Sequence, residues 1–256
     1  MTDGPLSVAR ERDGRLLRLT LNRPKANIID AAMVAALDDA LARHADDPGL
    51  LAVVLDHAGP HFSFGASVEE HLPDRCAGML KGLHVLIKRM VAYPVPILVA
   101  VKGQCLGGGL EVAMGGTLIF AAPDAMLGQP EIKLGVFAPA ASVLLPRRVG
   151  RARAEDLLLS GRSATAQEAH EWGLVTAVTD DPAAAALDYV DTHLAGLSAA
   201  SLRFAVRAVR DPLAAEVAAD LDRVEELYLA GLMAAHDPEE GLRAFIERRP
   251  PVWENR

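Results

Sequence analysis

The stretch Val99-Ala-Val-Lys-Gly-Gln-Cys-Leu-Gly-Gly-Gly-Leu-Glu111 decides how the rest of the chain is read. Ile97 to Val101 is an apolar, β-branched run that predicts a buried strand, and Pro94 and Pro96 keep a helix from entering it. Gly103 and the triplet Gly107-Gly-Gly109 follow, and then Leu110 to Met114, a run of helix-forming residues. A strand, a glycine turn and a helix start leave a cluster of backbone N–H groups polarised to attract negative charge. Glycine also lets a ligand oxygen come close, because no Cβ stands in the way. Glu111 lies three residues beyond Gly108, so one helical turn sets its carboxylate beside whatever the Gly108 N–H holds. Plainer readings apply to the same residues: turn glycines serve tight packing, and a glutamate in a first helical turn often only answers the helix dipole. A dinucleotide site is out of register, since Gly-x-Gly-x-x-Gly counted from Gly107 needs a glycine where Val112 stands. No Gly-Lys-Ser/Thr follows for a phosphate loop.

The whole chain narrows the choice. Its 256 residues suit one large domain, or a domain with a small appendage, and allow a substantial core. Hydrophobic residues make up 51%, but in short interrupted runs, so no segment is expected to span a membrane. Met1-Thr-Asp-Gly-Pro5 lacks the basic-then-apolar pattern of a leader, and Cys76 and Cys105 form neither a disulfide framework nor a metal spacing. A cytoplasmic, reduced protein is the expectation. A net charge of −8 disfavours nucleic acid and anionic membranes as partners, while local basic clusters leave room for an anionic substrate.

Working outward, Leu6–Arg10 and Leu16–Leu21 alternate around Asp13-Gly14 and predict a hairpin. Asn22 to Asn27 is a basic loop, and Asp30 caps a helix running to about Ala45, stopped by Pro48-Gly49. Leu50–Leu55 reads as a buried strand, and Gly59 to Ser67 is a second glycine turn at a strand end. After Leu72-Pro73 a helix runs through Met79, Leu83, Ile87 and Met90; Thr117–Ala121 is a strand, and Gly128-Gln-Pro-Glu131 follows. Strands alternating with helices predict an α/β core with parallel strands, whose sites collect at strand ends. From Ala138 the chain is mostly helical, with a capping box at Thr165-Ala-Gln-Glu168 and a last strand at Val175–Val178. Helices are expected at 182–197, 200–209, 213–235 and 238–248, the last capped by Asp237 with Pro238 at its first position. Alanine- and leucine-rich faces on these helices point to oligomerisation. His57, His61 and His71 have no metal-ligand spacing.

Three motifs then line up: Phe64-Gly-Ala66, Gly107-Gly-Gly-Leu-Glu111 and Gly128-Gln-Pro-Glu131. In this order and spacing the chain resembles the crotonase (enoyl-CoA hydratase/isomerase) superfamily, from Leu21-Asn-Arg-Pro-Lys-Ala26 to Phe245-Ile-Glu-Arg-Arg249. The resemblance implies an α/β fold with a ββα spiral core, residues 1–195, and a C-terminal helical trimerisation region, residues 196–256. It implies an oxyanion hole from the Ala66 and Gly108 N–H groups and acid–base roles for Glu111 and Glu131. Coenzyme A would be held by Lys25, Ala26 and Ala66, with Phe245 and Arg248 coming from a neighbouring subunit. The partners implied are an acyl-CoA thioester and further copies of the chain, as a trimer or a dimer of trimers. No metal and no cofactor beyond the CoA of the substrate is called for.

Departures from the common pattern are informative. Gly65-Ala-Ser67 followed by Glu69-Glu70 replaces the usual Gly-Ala-Asp with a nearby lysine, and Val136-Phe-Ala-Pro-Ala-Ala-Ser142 replaces Pro-Gly-Ala-Gly-Gly. Phe137 and Pro139 predict a rigid, apolar pocket wall suited to a flat ring. With Ala26-Asn-Ile-Ile-Asp30, His61 to Ala66 and Trp253-Glu-Asn-Arg256, these segments look closer to one branch. That branch hydrates cyclohexa-1,5-diene-1-carbonyl-CoA to 6-hydroxycyclohex-1-ene-1-carbonyl-CoA in anaerobic benzoyl-CoA degradation. The rivals are a short-chain hydratase of β-oxidation, a non-catalytic acyl-CoA-binding homologue and a nucleotide-dependent oxidoreductase.

Overall fold

Alternation and capping place the first elements. In the computed structural model, which describes residues 4–256, β1 (Leu6–Glu11) and β2 (Leu16–Leu21) form the expected antiparallel hairpin. Met1–Asp3, part of the stretch read above for a leader, lie outside the described residues. Helix α1 (Ala31–His44) starts where expected, with the Asp30 side chain accepting from the Met33 N–H at 2.9 Å. The strand read at Leu50–Leu55 is β3 (Ala52–His57), two residues later; it is followed by α2 (Cys76–Val91), β4 (Ile97–Val101), β5 (Gln104–Leu106) and α3 (Gly108–Gly115). The chain continues through β6 (Leu118–Ala121), β7 (Met126–Gly128), a 3-10 turn at Pro130–Leu134, α4 (Pro139–Val149) and α5 (Arg151–Ser160). Then come β8 (Ser163–Thr165), α6 (Ala166–Glu171), β9 (Ala177–Val178), α7 (Pro182–Tyr189), α8 (Ala199–Glu226) and α9 (His236–Ile246).

The strands sort into two sheets. Six form one sheet in the order β1-β2-β3-β4-β6-β9, parallel from β2 onward, and three form a smaller sheet, β5-β7-β8. Each turn of chain adds a strand to the large sheet and then a piece to the small one. After β3 comes the bridge of Ser63 to Cys105, after β4 comes β5, and after β6 comes β7 with Cys105 paired to Leu127. The first two of these turns close with α2 and α3. This is a ββα spiral. Side chains alternate across the large sheet with the two-residue period of a strand. Leu17, Val53, Ile97 and Val99 enter the main core, whereas Leu16, Val54, Leu98 and Phe120 pack against Ala186 and Val190 of α7 and the π turn that extends it.

Three expectations for the C-terminal half are corrected. The helices expected at 200–209 and 213–235 are one element, α8, which runs through Pro212 and ends in a π turn, Leu227–Gly231. Val217, Leu221 and Val224 are in the main core, and that burial outweighs the single backbone hydrogen bond a proline removes. The helix expected at 182–197 stops at Tyr189 and continues as a π turn, Val190–Leu194. Asp237 does not cap α9, which begins one residue earlier behind Ala235; its carboxylate instead accepts the Glu254 and Asn255 N–H groups at 2.8 and 2.7 Å and pins the C-terminal tail.

Pro212 is exposed, and the carbonyl it leaves unbonded belongs to exposed Ala208. Pro212→Ala is therefore expected to raise stability by roughly 1–3 kcal/mol, read as a higher midpoint in urea with unchanged m-value. A fall would mean that α8 needs the proline's bend to pack on α2 and α4.

Candidate active site

The spiral brings the three motifs to one edge. Ser63, Cys105 and Leu127 lie side by side in neighbouring turns. The chain leaves them through Gly65-Ala66, Gly107-Gly108 and Gln129-Pro130-Glu131, so each motif exits next to the others. In the first exit, Ser63 Oγ accepts the Gly65 N–H at 3.0 Å, and the Gly65 carbonyl, rather than the Ala66 N–H, is used to bind Ile29. Gly108 occupies the first position of α3, where a backbone N–H has no intrahelical acceptor. A methyl group placed on Gly108 would stand 3.2 Å from the Ala66 nitrogen, so the two amides border the same small space. Two N–H donors converging there can stabilise an oxygen that gains negative charge.

Gly107 makes the carboxylates possible. Its φ of +50° belongs to glycine, and a Cβ on it would fall 2.4 Å from Glu131 Oε1. Glu131 thus reaches back along the first turn of α3. Buried Gln129 orients it: with its amide nitrogen toward Glu131, Gln129 donates to both carboxylate oxygens at 3.0 and 3.2 Å. Glu111, only 3% exposed, accepts the Ala141 N–H at 2.8 Å through Oε1, at the N-terminal end of α4. Half-buried Arg148, near the other end of α4, donates to the carbonyls of Met114 (2.6 Å) and Gly116, so α4 holds α3 at both ends.

Burial dominates the electrostatics. It pushes Glu111 up to about 7, with the Ala141 and Ala140 N–H groups holding it down. It pushes Glu131 up to about 8, helped by the charge of Glu111. Two carboxyls raised this way beside each other resist ionising together, an arrangement that can divide into one base and one acid.

A cavity of about 1020 Å³ opens beside Glu131, lined by Gly65, Ala66, Gly107, Glu131, Phe245 and Arg248, among others; Gly108 and Glu111 are not on its lining. Phe245 and Arg248, expected from a neighbouring subunit, line the cavity of their own chain, because α9 folds back over the Pro130–Leu134 turn. A second cavity of about 440 Å³ contains Lys25 and Ala26 and shares Ile28, Ser67 and Glu69 with the first. The two cavities are neighbours across these shared residues. Arg23 is tied to Asp30, while Lys25 and Arg248 make no ion pair among the described residues. Glu70, one of the unusual acidic pair, accepts the Ala31 N–H at 3.1 Å and helps start α1. Phe137 and Pro139 are not on the cavity lining: Phe137 packs on Tyr228 behind Val136, and Pro139 begins α4.

Two residues at the site, both quoted above, had no role assigned to them from the sequence. Gln129 sits inside a motif already quoted, and its neighbour Glu131 was the available signal. His71 lines the cavity and bonds the Ser67 carbonyl at 2.7 Å, and burial lowers its pKa, so it stays neutral. Nothing local in the sequence marks it.

The model of the enoyl-CoA hydratase/isomerase family matches residues 11–256. The cyclohexa-1,5-dienecarbonyl-CoA hydratase of Thauera aromatica is 64% identical over 252 residues, 98% of each chain. A probable enoyl-CoA hydratase of Mycobacterium bovis is 34% identical over 96% of this chain and 97% of its own. Among solved structures, an enoyl-CoA hydratase from Mycobacterium avium subsp. paratuberculosis superposes with a TM-score of 0.85 at 28% identity, covering 98% of this chain and 99% of its own.

Two expectations test this geometry. Gly108→Ala fills the space between the two amides and is expected to cut turnover of an enoyl-CoA ester by about 100–1000-fold with the circular dichroism spectrum intact. Glu131→Gln has a signed pH signature. A carboxyl raised from 4.5 toward 8 binds its proton more tightly folded than unfolded, so its contribution to stability is lost as pH rises through that window. The variant should therefore match the native protein in melting temperature near pH 4.5 and exceed it at pH 8.5, while losing at least about 100-fold in turnover.

Proposed function

The chain belongs to the enoyl-CoA hydratase/isomerase family, and from that premise we propose that it adds water to cyclohexa-1,5-diene-1-carbonyl-CoA, giving 6-hydroxycyclohex-1-ene-1-carbonyl-CoA. The observation that carries this reading is the near-full-length likeness to a hydratase named for that cyclic diene, at far higher identity than to the plain enoyl-CoA hydratase. The site supports it: one oxyanion pocket, one base and one acid are what a hydration requires.

In this reading the thioester carbonyl oxygen accepts from the Ala66 and Gly108 N–H groups. Glu111, held toward its charged form by the Ala141 N–H, is the base that takes a proton from water. The water oxygen bonds to the ring carbon β to the carbonyl, and the electron pair moves through the ring to the carbonyl oxygen as a dienolate. The amide donors strengthen as that charge grows. The dienolate collapses by forming a C–H bond at the far end of the diene with the proton of Glu131, and the carbon–carbon double bond moves between them. Water is consumed whole, and a proton passing from Glu111 to Glu131 resets the pair. The thioester is its own electron sink, so the proposal includes no cofactor.

Lys25 and Arg248, which make no ion pair among the described residues and line the two neighbouring cavities, suit the CoA phosphates, and Ala26 and Phe245 lie beside them. We also infer a homo-oligomer, a trimer or pair of trimers, from the exposed apolar side chains along α8, Phe204 at 70% and Val209 at 78% among them. A cytoplasmic setting and a place in anaerobic aromatic degradation follow from the same reading.

The test is turnover of the cyclic diene beside crotonyl-CoA by the purified protein, with products assigned by NMR. A strong preference for the diene, with hydroxyl and new proton at its opposite ends, is the expected result. Preference for crotonyl-CoA would make the protein a short-chain hydratase.

A further inference from the structure

The wall of the larger cavity carries one polar side chain that the mechanism has not used. His71 ends the 3-10 turn Glu69–His71, five residues beyond Ala66, and lines this cavity together with Glu131. It is absent from the smaller cavity that holds Lys25, so it belongs to the carboxylate side. Val68 and Leu72, at the two ends of its turn, pack on the same small core as Val136, whose N–H is bonded to the Glu131 carbonyl at 3.3 Å. His71 and Glu131 therefore stand on adjoining walls. The ring is fixed by its Nδ1, 2.7 Å from the Ser67 carbonyl oxygen. A carbonyl only accepts, so Nδ1 carries the proton, and in the neutral ring Nε2 carries none. Burial lowers the His71 pKa and keeps the ring in that form. Nε2 bonds nothing among the described residues, yet it is not one of the buried polar atoms sealed off without a partner. It is open, and it can only accept. Its polar neighbours on the lining are charged: Lys133 and Arg248 are exposed cations, and exposed Glu69 accepts from Ser67. A half-buried neutral acceptor suits a neutral donor.

We propose that His71 is a substrate-contacting residue of the acyl site, its Nε2 accepting the O–H that stays on the added oxygen, first in the attacking water and then in the product. This rests on the hydratase reading above. The cyclic diene has no O–H or N–H of its own to offer an acceptor. Water has two: Glu111 takes one proton, and the second hydrogen keeps a partner in Nε2 throughout the addition. No further bond is made or broken. The contact fixes where the nucleophilic oxygen stands while the Ala66 and Gly108 amides hold the thioester oxygen, and it favours the hydroxylated product over an ester without the hydroxyl.

Binding separates this contact from turnover. Dissociation constants are measured for 6-hydroxycyclohex-1-ene-1-carbonyl-CoA and for cyclohex-1-ene-1-carbonyl-CoA, which lacks only the hydroxyl, on the native protein, His71→Leu and His71→Gln. His71→Leu fills the space without an acceptor. It should lose about tenfold in affinity for the hydroxylated ester, the worth of one neutral hydrogen bond, and less than about twofold for the other. His71→Gln keeps an acceptor oxygen and should recover most of that loss. On the native protein, whatever the variants' folding, the ¹⁵N resonance of His71 Nε2 should move on adding the hydroxylated ester and stay in place with the other. Equal losses for both esters would assign Nε2 to an N–H of the CoA arm or to packing, and would overturn the hydroxyl contact, as would no loss and no shift. Hydroxyl-selective loss in a protein that does not hydrate the diene would uphold the contact and sink the hydratase reading. A native protein that binds neither ester would overturn both.

Discussion

The Ala141 N–H, 2.8 Å from Glu111 Oε1, is the contact on which the site depends. A carboxylate only 3% exposed must find hydrogen-bond donors or give up its charge. The first turn of α4 supplies one, and the same helix, through Arg148, binds the carbonyls at the far end of α3. Helix α3 is buried along its whole length, so it is positioned by these ties rather than by contact with water. Its start carries both the Gly108 amide and, one turn on, the Glu111 carboxylate. Moving α4 would disturb both at once.

The second carboxylate shows why burial matters more than net charge. Glu131 is placed against Gly107 and bonded by Gln129, in surroundings that resist a second negative charge beside Glu111. The protein is acidic overall, yet its most perturbed carboxyls owe little to that excess. Removal from water and mutual repulsion set them, and Ala141 distinguishes the two.

The rim of the two cavities follows different rules. Lys25 and Arg248 both have positive φ, and both lie on turns whose flanking backbone is tied down, Asn27 N–H to the Arg23 carbonyl and Arg249 N–H to the Ala244 carbonyl. Both side chains are exposed to solvent. Helix α9 lines the larger cavity from the same chain that builds its floor.

The sequence by itself determined the elements and the chemistry they carry. The hairpin, the Asp30 cap, the Thr165 capping box and the strand–glycine–helix segment are set by residues within one or two turns of each other, and local sterics and hydrogen bonds decide them. Residue type and spacing likewise singled out Gly108 and Glu111, while Ala66 and Glu131 were marked through the resemblance to the family. Tertiary structure decided what depends on contacts between distant segments. Burial of Val217, Leu221 and Val224 carried α8 through Pro212, and the C-terminal tail drew Asp237 away from its cap. The recruitment of Gln129 and His71, the retreat of Phe137 behind Val136, and the upward shift of the two glutamate pKa values by burial also lay beyond the sequence. Each turns on which atoms are removed from water and which donors face them, and those are fixed only when the turns of the spiral pack side by side.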